Sequence, residues 1–330
     1  MNTTKILNTV ATVKVYYGYG HSGSCIVYGH VLKGKAPARK NYSNNIFLNI
    51  IHLVRLFFVR PMPGEKVQLL WGDQQYSNTT ETDGFFKFEW KPGVDLAAGW
   101  HPVRVNLLDI KDRVLTTGEG KFFVPHSTQY AFVSDIDDTV LISHSATKAR
   151  RLRVLFTKNP RSRKAFADVV TYYQLLSKAF TEDKVPNPFF YVSSSEWNLY
   201  DDLVEFFRHN GLPDGVFLLS QIKKWYQLFK TGKTKHQGKF IRIVRIMETF
   251  PIHKFVLLGD NSQSDPEIYV TLANQLPGRI AAIYIRNINI EKESQAKEWM
   301  TRIQDKKIIT CLFKDNNEAI QHSRANGIIV

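Results

Sequence analysis

Along the first third of the chain, apolar and aromatic residues come in short runs cut by turn-forming pairs. Thr12–Tyr17, Cys25–Leu32, Lys66–Trp71, Phe85–Trp90 and Val103–Leu108 are β-branched and aromatic, with Pro63 and Gly64, Asp83 and Gly84, and Pro92 and Gly93 between them. That spacing predicts strands, and a small antiparallel β-sandwich-like domain over residues 1–128. One stretch breaks the rhythm. In Ile46–Val59 the polar residues Asn49, His52 and Arg55 recur at helical spacing, which predicts an inserted amphipathic helix. It is too short and too often interrupted to span a bilayer. Such a stripe usually packs on its own domain, and an interfacial role stays open.

From about Gln129 the pattern becomes short apolar runs alternating with amphipathic stretches. The runs are Ala131–Val133, Phe189–Val192, Val216–Leu219, Phe255–Leu258 and Ile280–Ile285. The intervening helices are expected at Ala165–Phe180, Leu199–Asn210, Phe240–Thr249, Glu267–Gln275 and Lys292–Gln304. Continuous apolar strands between helices indicate a parallel sheet covered on both faces, hence a doubly wound α/β domain over residues 129–330. Lys307–Phe313 would add a strand and Asn316–Asn326 a short helix. In such folds ligands bind beyond the carboxyl ends of the strands, so the residues after each apolar run are where chemistry is sought.

One apparent motif fails that test. Gly18, Gly20 and Gly23 fit the dinucleotide pattern G-x-G-x-x-G, but Ser24–Val31 reads as another strand. Without a helix N-terminus to hold a pyrophosphate, a glycine-rich hairpin is expected there.

Two strand ends are acidic. After Ser134 come Asp135, Ile136, Asp137, Asp138 and Thr139; after Leu258 come Gly259, Asp260 and, further on, Asp265. Crowded carboxylates raise one another's pKa unless a cation neutralises them, which suggests a hard metal such as Mg2+ with oxygen ligands. Each acid taken singly could instead be a helix cap, and Asp265, followed by Pro266, is the better cap of the two near that helix. Ser193, Ser194 and Ser195 end a third strand and could donate to phosphate oxygens. Lys239, at the start of an amphipathic helix, could add a fixed positive charge.

Composition narrows the partners. The 330 residues carry 44 Lys and Arg against 30 Asp and Glu, a net charge of +14, with 43% hydrophobic residues and two Cys. This is a globular chain rather than a disordered one, and its charge favours an anionic ligand. Two acid-free basic runs stand out, Lys148–Lys164 and Lys223–Lys239. Cys25 and Cys311 offer no disulfide framework, and Met1–Val10 lacks the pattern of a secretory signal. A cytoplasmic protein is expected, able to sit peripherally on a membrane.

Taken together, these motifs resemble the haloacid dehalogenase superfamily of phosphatases. Its D-x-D-x-T motif is matched by Asp135, Asp137 and Thr139, its strand-end serine by Ser193, its helical lysine by Lys239, and its G-D-x-x-x-x-D motif by Gly259, Asp260 and Asp265. Within that superfamily, Ser134–Val140, Tyr191–Ser195 with Trp197, and Leu258–Asp260 with Asp265 and Tyr269 resemble the actin-patch-type phosphatidate phosphatase catalytic domain, over roughly Gln129–Asn287. The chain departs from the family pattern at Glu196, often a proline, at Ser220 and Gln221, often an Arg-Asp pair, and in the separation of His236 from Lys239.

The resemblance implies a haloacid-dehalogenase-like sheet with a small cap and a Mg2+-dependent phosphatase. Asp135 would form an aspartyl-phosphate, Asp137 would act as general acid and base, and Thr139 would brace the loop. Metal ligands would be Asp135, Asp137 through its carbonyl, and Asp260, with Asp265 orienting the metal shell or Lys239. Ser193, Ser194 and Lys239 would bind the phosphoryl oxygens. The insert after Thr139 is too short for a large cap, which suits a bulky substrate, and phosphatidate hydrolysed to diacylglycerol is the first expectation. Peripheral membrane contact is expected through Ile46–Val59 or the basic run Lys148–Lys164. A nucleic-acid end, a disfavoured partner, or a soluble phosphomonoester is the alternative substrate, and a non-enzymatic binding protein the remote one.

Overall fold

The computed structural model describes residues 10–35, 42–126, 130–142, 158–181, 185–222 and 235–330, the backbone alone at 235 and 236. Residues 148–157 and 223–234, which hold most of the two basic runs, and with them most of the expected cap, lie outside the described residues. The described chain forms two compact units. Residues 10–35, 54–124 and 221–222 make the first; 42–53, 125–126, 130–142, 158–181, 185–220 and 235–330 make the second. The sequence pattern assigns all of the inserted helix to the leading domain, whereas its residues 46–53 group with the second unit. That helix, α1 (Ile46–Phe57), stops short of Val59. Pro61 follows too closely for the chain to go on as helix.

The first unit holds eight strands: β1 (Ala11–Val15), β2 (Gly18–His21), β3 (Ser24–Lys33), β4 (Lys66–Trp71), β5 (Gln74–Thr79), β6 (Phe85–Trp90), β7 (Gly99–Leu108) and β8 (Val114–Val124). They run in the order β1-β3-β2-β8-β7-β4-β5, with β6 on β3. Every pairing is antiparallel except β2 with β8. Val27, Val67, Leu69, Phe86, Val105, Leu107 and Phe122 form its core. β2 and β3 are the glycine-rich hairpin, with Tyr19 opposite Ile26 and His21 opposite Ser24. A Cβ on Gly18 would lie 2.0 Å from the Ile26 carbonyl oxygen, so close approach of backbone, not phosphate binding, accounts for that glycine. Two strands escape an apolar-run reading. β5 is almost wholly polar and exposed, and β8 is broken by Gly118 and Gly120.

The second unit is built on six strands: β9 (Ala131–Ser134), β10 (Phe189–Glu196), β11 (Val216–Ser220), β12 (Phe255–Asp260), β13 (Ile280–Arg286) and β14 (Ile309–Phe313). All pairings are parallel, in the order β11-β10-β9-β12-β13-β14. The helices are α2 (Val169–Lys178), α3 (Tyr200–Asn210), α4 (Lys235–Thr249), α5 (Asp265–Gln275), α6 (Glu293–Thr301) and α7 (Asn316–Ala325). α2 starts later than its apolar pattern suggests because Asp168, with φ of 57°, turns the chain immediately before it. From β9 the chain builds outward to β10 and β11, then returns to the other side of β9 with β12. The strand order therefore reverses between β9 and β12, the crevice where doubly wound sheets bind ligands. Both acidic motifs end the strands that flank it. Among the described residues, no helix is long and apolar enough to cross a membrane.

Candidate active site

The backbone sets the first carboxylates. β9 is buried along its whole length, and the Asp135 N–H donates to the Leu258 carbonyl at 2.9 Å, tying the end of β9 to β12. Beyond it Ile136 drops into the core, and the amides of Val140 and Leu141 both donate to its carbonyl at 3.0 Å. Asp138 takes a left-handed φ of 64° to close this turn, a conformation uncommon outside glycine and concentrated at functional sites. Asp135, Asp137, Asp138 and Thr139 are all buried.

Each motif side chain then has a defined partner. Lys239, in the second turn of α4, lies on a helix packed against β10 and donates to Asp135 Oδ1 at 2.8 Å and to Asp265 Oδ1. Thr139 Oγ1 donates to Asp260 Oδ2 at 3.3 Å, and the Ser262 N–H to Asp260 Oδ1 at 2.6 Å. Ser193 Oγ and Ser195 Oγ donate to one oxygen of Asp137, Oδ2, at 3.1 and 3.0 Å. The helix α5 is entered through Ser264 and not through Asp265. The Asp265 carboxylate points instead at Lys239 and at the Asp260 N–H, 3.4 Å away, so the capping role read from Pro266 does not hold. Gly259 makes room for it. A Cβ there would lie 2.6 Å from Asp265 Oδ2.

Asp135, Asp260 and Asp265 thus gather three carboxylates, with one oxygen from each within 4.8 Å of the others. All three are buried, and Asp135 Oδ2 has no hydrogen-bond partner among the described residues. Burial pushes the Asp135 carboxyl well above its ordinary range against the pull of the Lys239 ammonium, and the charges of Asp265, Asp260 and Asp137 push the same way. Asp260 is pushed up to about 7, by burial first and by Asp265 second. Burial works against the Lys239 charge, but Asp135 and Asp265 together outweigh it and hold the ammonium above its usual range. One ammonium cannot neutralise three carboxylates. With all four ionised the cluster carries two net negative charges, the complement of a divalent cation, and its donors are the hard oxygens that Mg2+ takes.

Some contacts of the candidate site were not visible as motifs. Of the strand-end serines read from the sequence, Ser195 rather than Ser194 joins Ser193 at Asp137, because β10 continues to Glu196 and alternate residues share a face. Ser194 is half-buried beside them. Arg286, the last residue of β13, is buried and donates from Nε to the Thr139 carbonyl at 3.2 Å and from Nη2 to Asn316 Oδ1 at 2.6 Å. It stands directly after the apolar run Ile280–Ile285, where the strand-end rule directs the search, but no motif singles it out. Tyr173 on α2 meets Ser134 Oγ at 2.8 Å, a contact with no sequence signal.

Residues 130–287 match the sequence profile of the phosphatidate phosphatase APP1 catalytic domain. Phosphatidate phosphatase APP1 of Saccharomyces cerevisiae is 32% identical over 157 residues, covering 47% of this chain and 25% of that protein. An uncharacterised protein of Schizosaccharomyces pombe is 22% identical over 180 residues, covering 54% of this chain and 28% of the relative. The chain thus spans about a quarter of the length of the curated relatives it matches. Among solved structures, fibronectin(III)-like modules of Clostridium thermocellum CbhA are 16% identical and cover 34% of this chain and 95% of their own, with a TM-score of 0.19 that bears on neither fold nor function. Both acidic strand ends, Ser193 and Lys239 fall inside the segment that is similar to the phosphatidate phosphatase APP1 catalytic domain.

Proposed function

We propose that the second unit is a Mg2+-dependent phosphatase of the haloacid dehalogenase type, forming an aspartyl-phosphate on Asp135 and hydrolysing phosphatidate to diacylglycerol and phosphate. The observation that carries this reading is the convergence of Asp135, Asp260, Asp265 and Lys239 at the crevice between β9 and β12, with Asp137 held beside them by two serines. A purely structural ion cluster has no need of a nucleophile with an unpartnered buried oxygen. The substrate comes from the named relative, and its bulk suits a short insert after Thr139.

Asp135 and Asp260 would hold the metal, with the carbonyl of Asp137, and Asp265 would orient them. When bound, the ion offsets phosphoryl charge and fixes the group for in-line attack. The remaining work belongs to the side chains. A carboxylate oxygen of Asp135 attacks phosphorus and the ester oxygen leaves, which divides one displacement into two easier ones. Asp137 gives that oxygen its proton and then takes one from the attacking water; the Ser193 and Ser195 bonds fix its orientation for both steps. Lys239 supplies the positive charge nearest the nucleophile, and Arg286 and Thr139 brace the loop.

The test is phosphate release from phosphatidate in mixed micelles and from an aryl phosphate, with Mg2+ or chelator, for the wild type and Asp135→Asn. Release from both substrates that needs Mg2+ and Asp135 supports the reading. Release from the aryl ester alone would replace phosphatidate by another phosphomonoester, and release insensitive to Asp135 would overturn the mechanism.

A further inference from the structure

The catalytic reading leaves one feature unused, the exposed face of α1, where the sequence leads one to expect membrane contact. Its orientation is fixed: Asn49 and Leu53 are buried, while Ile46, Phe47, Leu48 and Ile51 are 50%, 76%, 53% and 47% exposed. Four large apolar side chains on one or two helical turns are an unusual outlay of surface for a folded chain. The first half of the helix is moored within the second unit. His52 Nε2 lies 3.3 Å from Asp202 Oδ1, whose other oxygen accepts from Arg163 Nη2 at 3.3 Å. Asn159 Nδ2 donates to the Ser43 carbonyl at 3.0 Å and to Asn44 Oδ1 at 3.1 Å, and the Arg161 guanidinium sits 3.9 Å over the Tyr42 ring. Asp202 is in the first turn of α3, which follows β10 after one 3-10 turn at Trp197–Leu199, so this mooring is at the carboxyl end of the parallel sheet. That is the end that carries the carboxylate cluster.

Charge identifies what meets this face. Residues 1–64 contain no Asp or Glu and eight Lys or Arg, and Glu65 is the first acid in the sequence. On the helix itself Arg55 is exposed one turn beyond Ile51, and Arg60 is exposed just after the helix ends. A second copy would bring the same two cations, Arg55 and Arg60, to the contact, whereas an anionic bilayer matches both their charge and the apolar side chains. We propose that the exposed face of α1, led by Phe47, Leu48 and Ile51, docks the second unit onto anionic lipid surfaces beside its active site. This deepens the phosphatidate reading and rests on it for its purpose, but it is a separate property of the protein. A catalytic crevice facing a bilayer would meet its lipid substrate without leaving the surface.

The experiment is flotation of the full chain with vesicles of phosphatidylcholine alone or with phosphatidylserine, an anionic lipid with no phosphomonoester to hydrolyse. Wild-type protein is compared with Phe47→Gln/Leu48→Gln/Ile51→Gln and with Arg55→Glu. Phe47→Trp reports insertion by its added fluorescence over the wild type. The expected result is binding to phosphatidylserine vesicles that falls about tenfold or more in the triple variant and less in Arg55→Glu, with the added indole emission of Phe47→Trp shifted to the blue on the vesicles. Aryl phosphate turnover should be unchanged in all variants, which also shows that they fold. Vesicle binding unchanged in the triple variant, no fluorescence shift, or wild-type protein that stays off the vesicles would each overturn the docking surface. A dimer that the triple variant dissolves would overturn it in favour of self-association. None of these outcomes touches the phosphatase reading, whose own failure is loss of Asp135-dependent release in detergent micelles.

Discussion

The two sheets bury different things. In the first unit the strands alternate, as in β4 and β6, and the interior is valine, leucine and aromatic rings. Its buried polar side chains are few and scattered: Tyr16 Oη lies 3.0 Å from His30 Nδ1, Thr80 Oγ1 donates to the Met62 carbonyl at 2.7 Å, and Thr117 Oγ1 donates to Asn106 Oδ1 at 2.7 Å, while His30 Nε2 and Trp90 Nε1 have no partner among the described residues. In the second unit β9 and β12 are buried throughout, and at their carboxyl ends Asp135, Asp137, Asp260, Asp265, Lys239 and Arg286 are buried together. A sheet covered on both faces leaves only its strand ends for polar chemistry, so charge accumulates there. Burying it without full neutralisation costs stability, and an active site is where that cost has a use.

The sharpest break between the two regions is in turnover. Asp135→Asn is expected to lower kcat by about 10⁴-fold or more, and Asp137→Ala by about 10²–10⁴-fold, measured as phosphate release at saturating substrate. Phe122→Ala, in the core of the first unit, should instead cost about 3–5 kcal/mol in urea unfolding. Lys239→Met joins both effects. It leaves Asp135 and Asp265 without their cation, which is expected to cost about 3–5 kcal/mol in chelated protein as well as activity. Ser195→Ala tests the orientation of Asp137 and should lower kcat about tenfold while leaving KM for an aryl phosphate nearly unchanged, since one hydrogen bond to a carboxylate is worth about 1.5–3 kcal/mol.

The smallest effect separates the regions by sign. Burial, with the nearby Lys14 charge, lowers the His30 pKa from 6.5 to about 3, so the unfolded chain binds the extra proton and stability is lost as pH falls from 6.5 towards 3. Asp260 is raised from 3.8 to about 7, so the folded chain holds the extra proton and stability is lost as pH rises from 3.8 to 7 in metal-free protein. Urea unfolding across pH in the presence of chelator should show the first slope flattened by His30→Gln and the second by Asp260→Asn. Mg2+ should restore more stability at pH 8 than at pH 5, because protonated carboxyls are poor ligands.

Much of the second unit was legible because buried parallel strands and their helices differ so sharply in apolar pattern. The five apolar runs and both acidic ends fall where the sequence puts them. Partners across the fold were not legible from the residue pattern alone. Asp265 reads as a cap from its neighbour Pro266; its link to Lys239 was implied only by the family resemblance, and the approach of α4 makes that contact. Ser195 was legible as one of three strand-end donors, but its bond to Asp137 was not, because the apolar run ends at Val192 while the extended backbone runs on to Glu196. In the first unit β5 carries no apolar signal because both its faces are solvated, and α1 divides between the units in a way that amphipathicity alone cannot report.

The most direct test of the central claim is to quench the reacting protein in acid and map the phosphoryl group by mass spectrometry. The expected result is one phosphoryl group on the peptide that contains Asp135, stable in acid, released by hydroxylamine and absent from Asp135→Asn. A phosphoryl group on Ser193 or elsewhere, or full turnover by Asp135→Asn with no trapped intermediate, would contradict it.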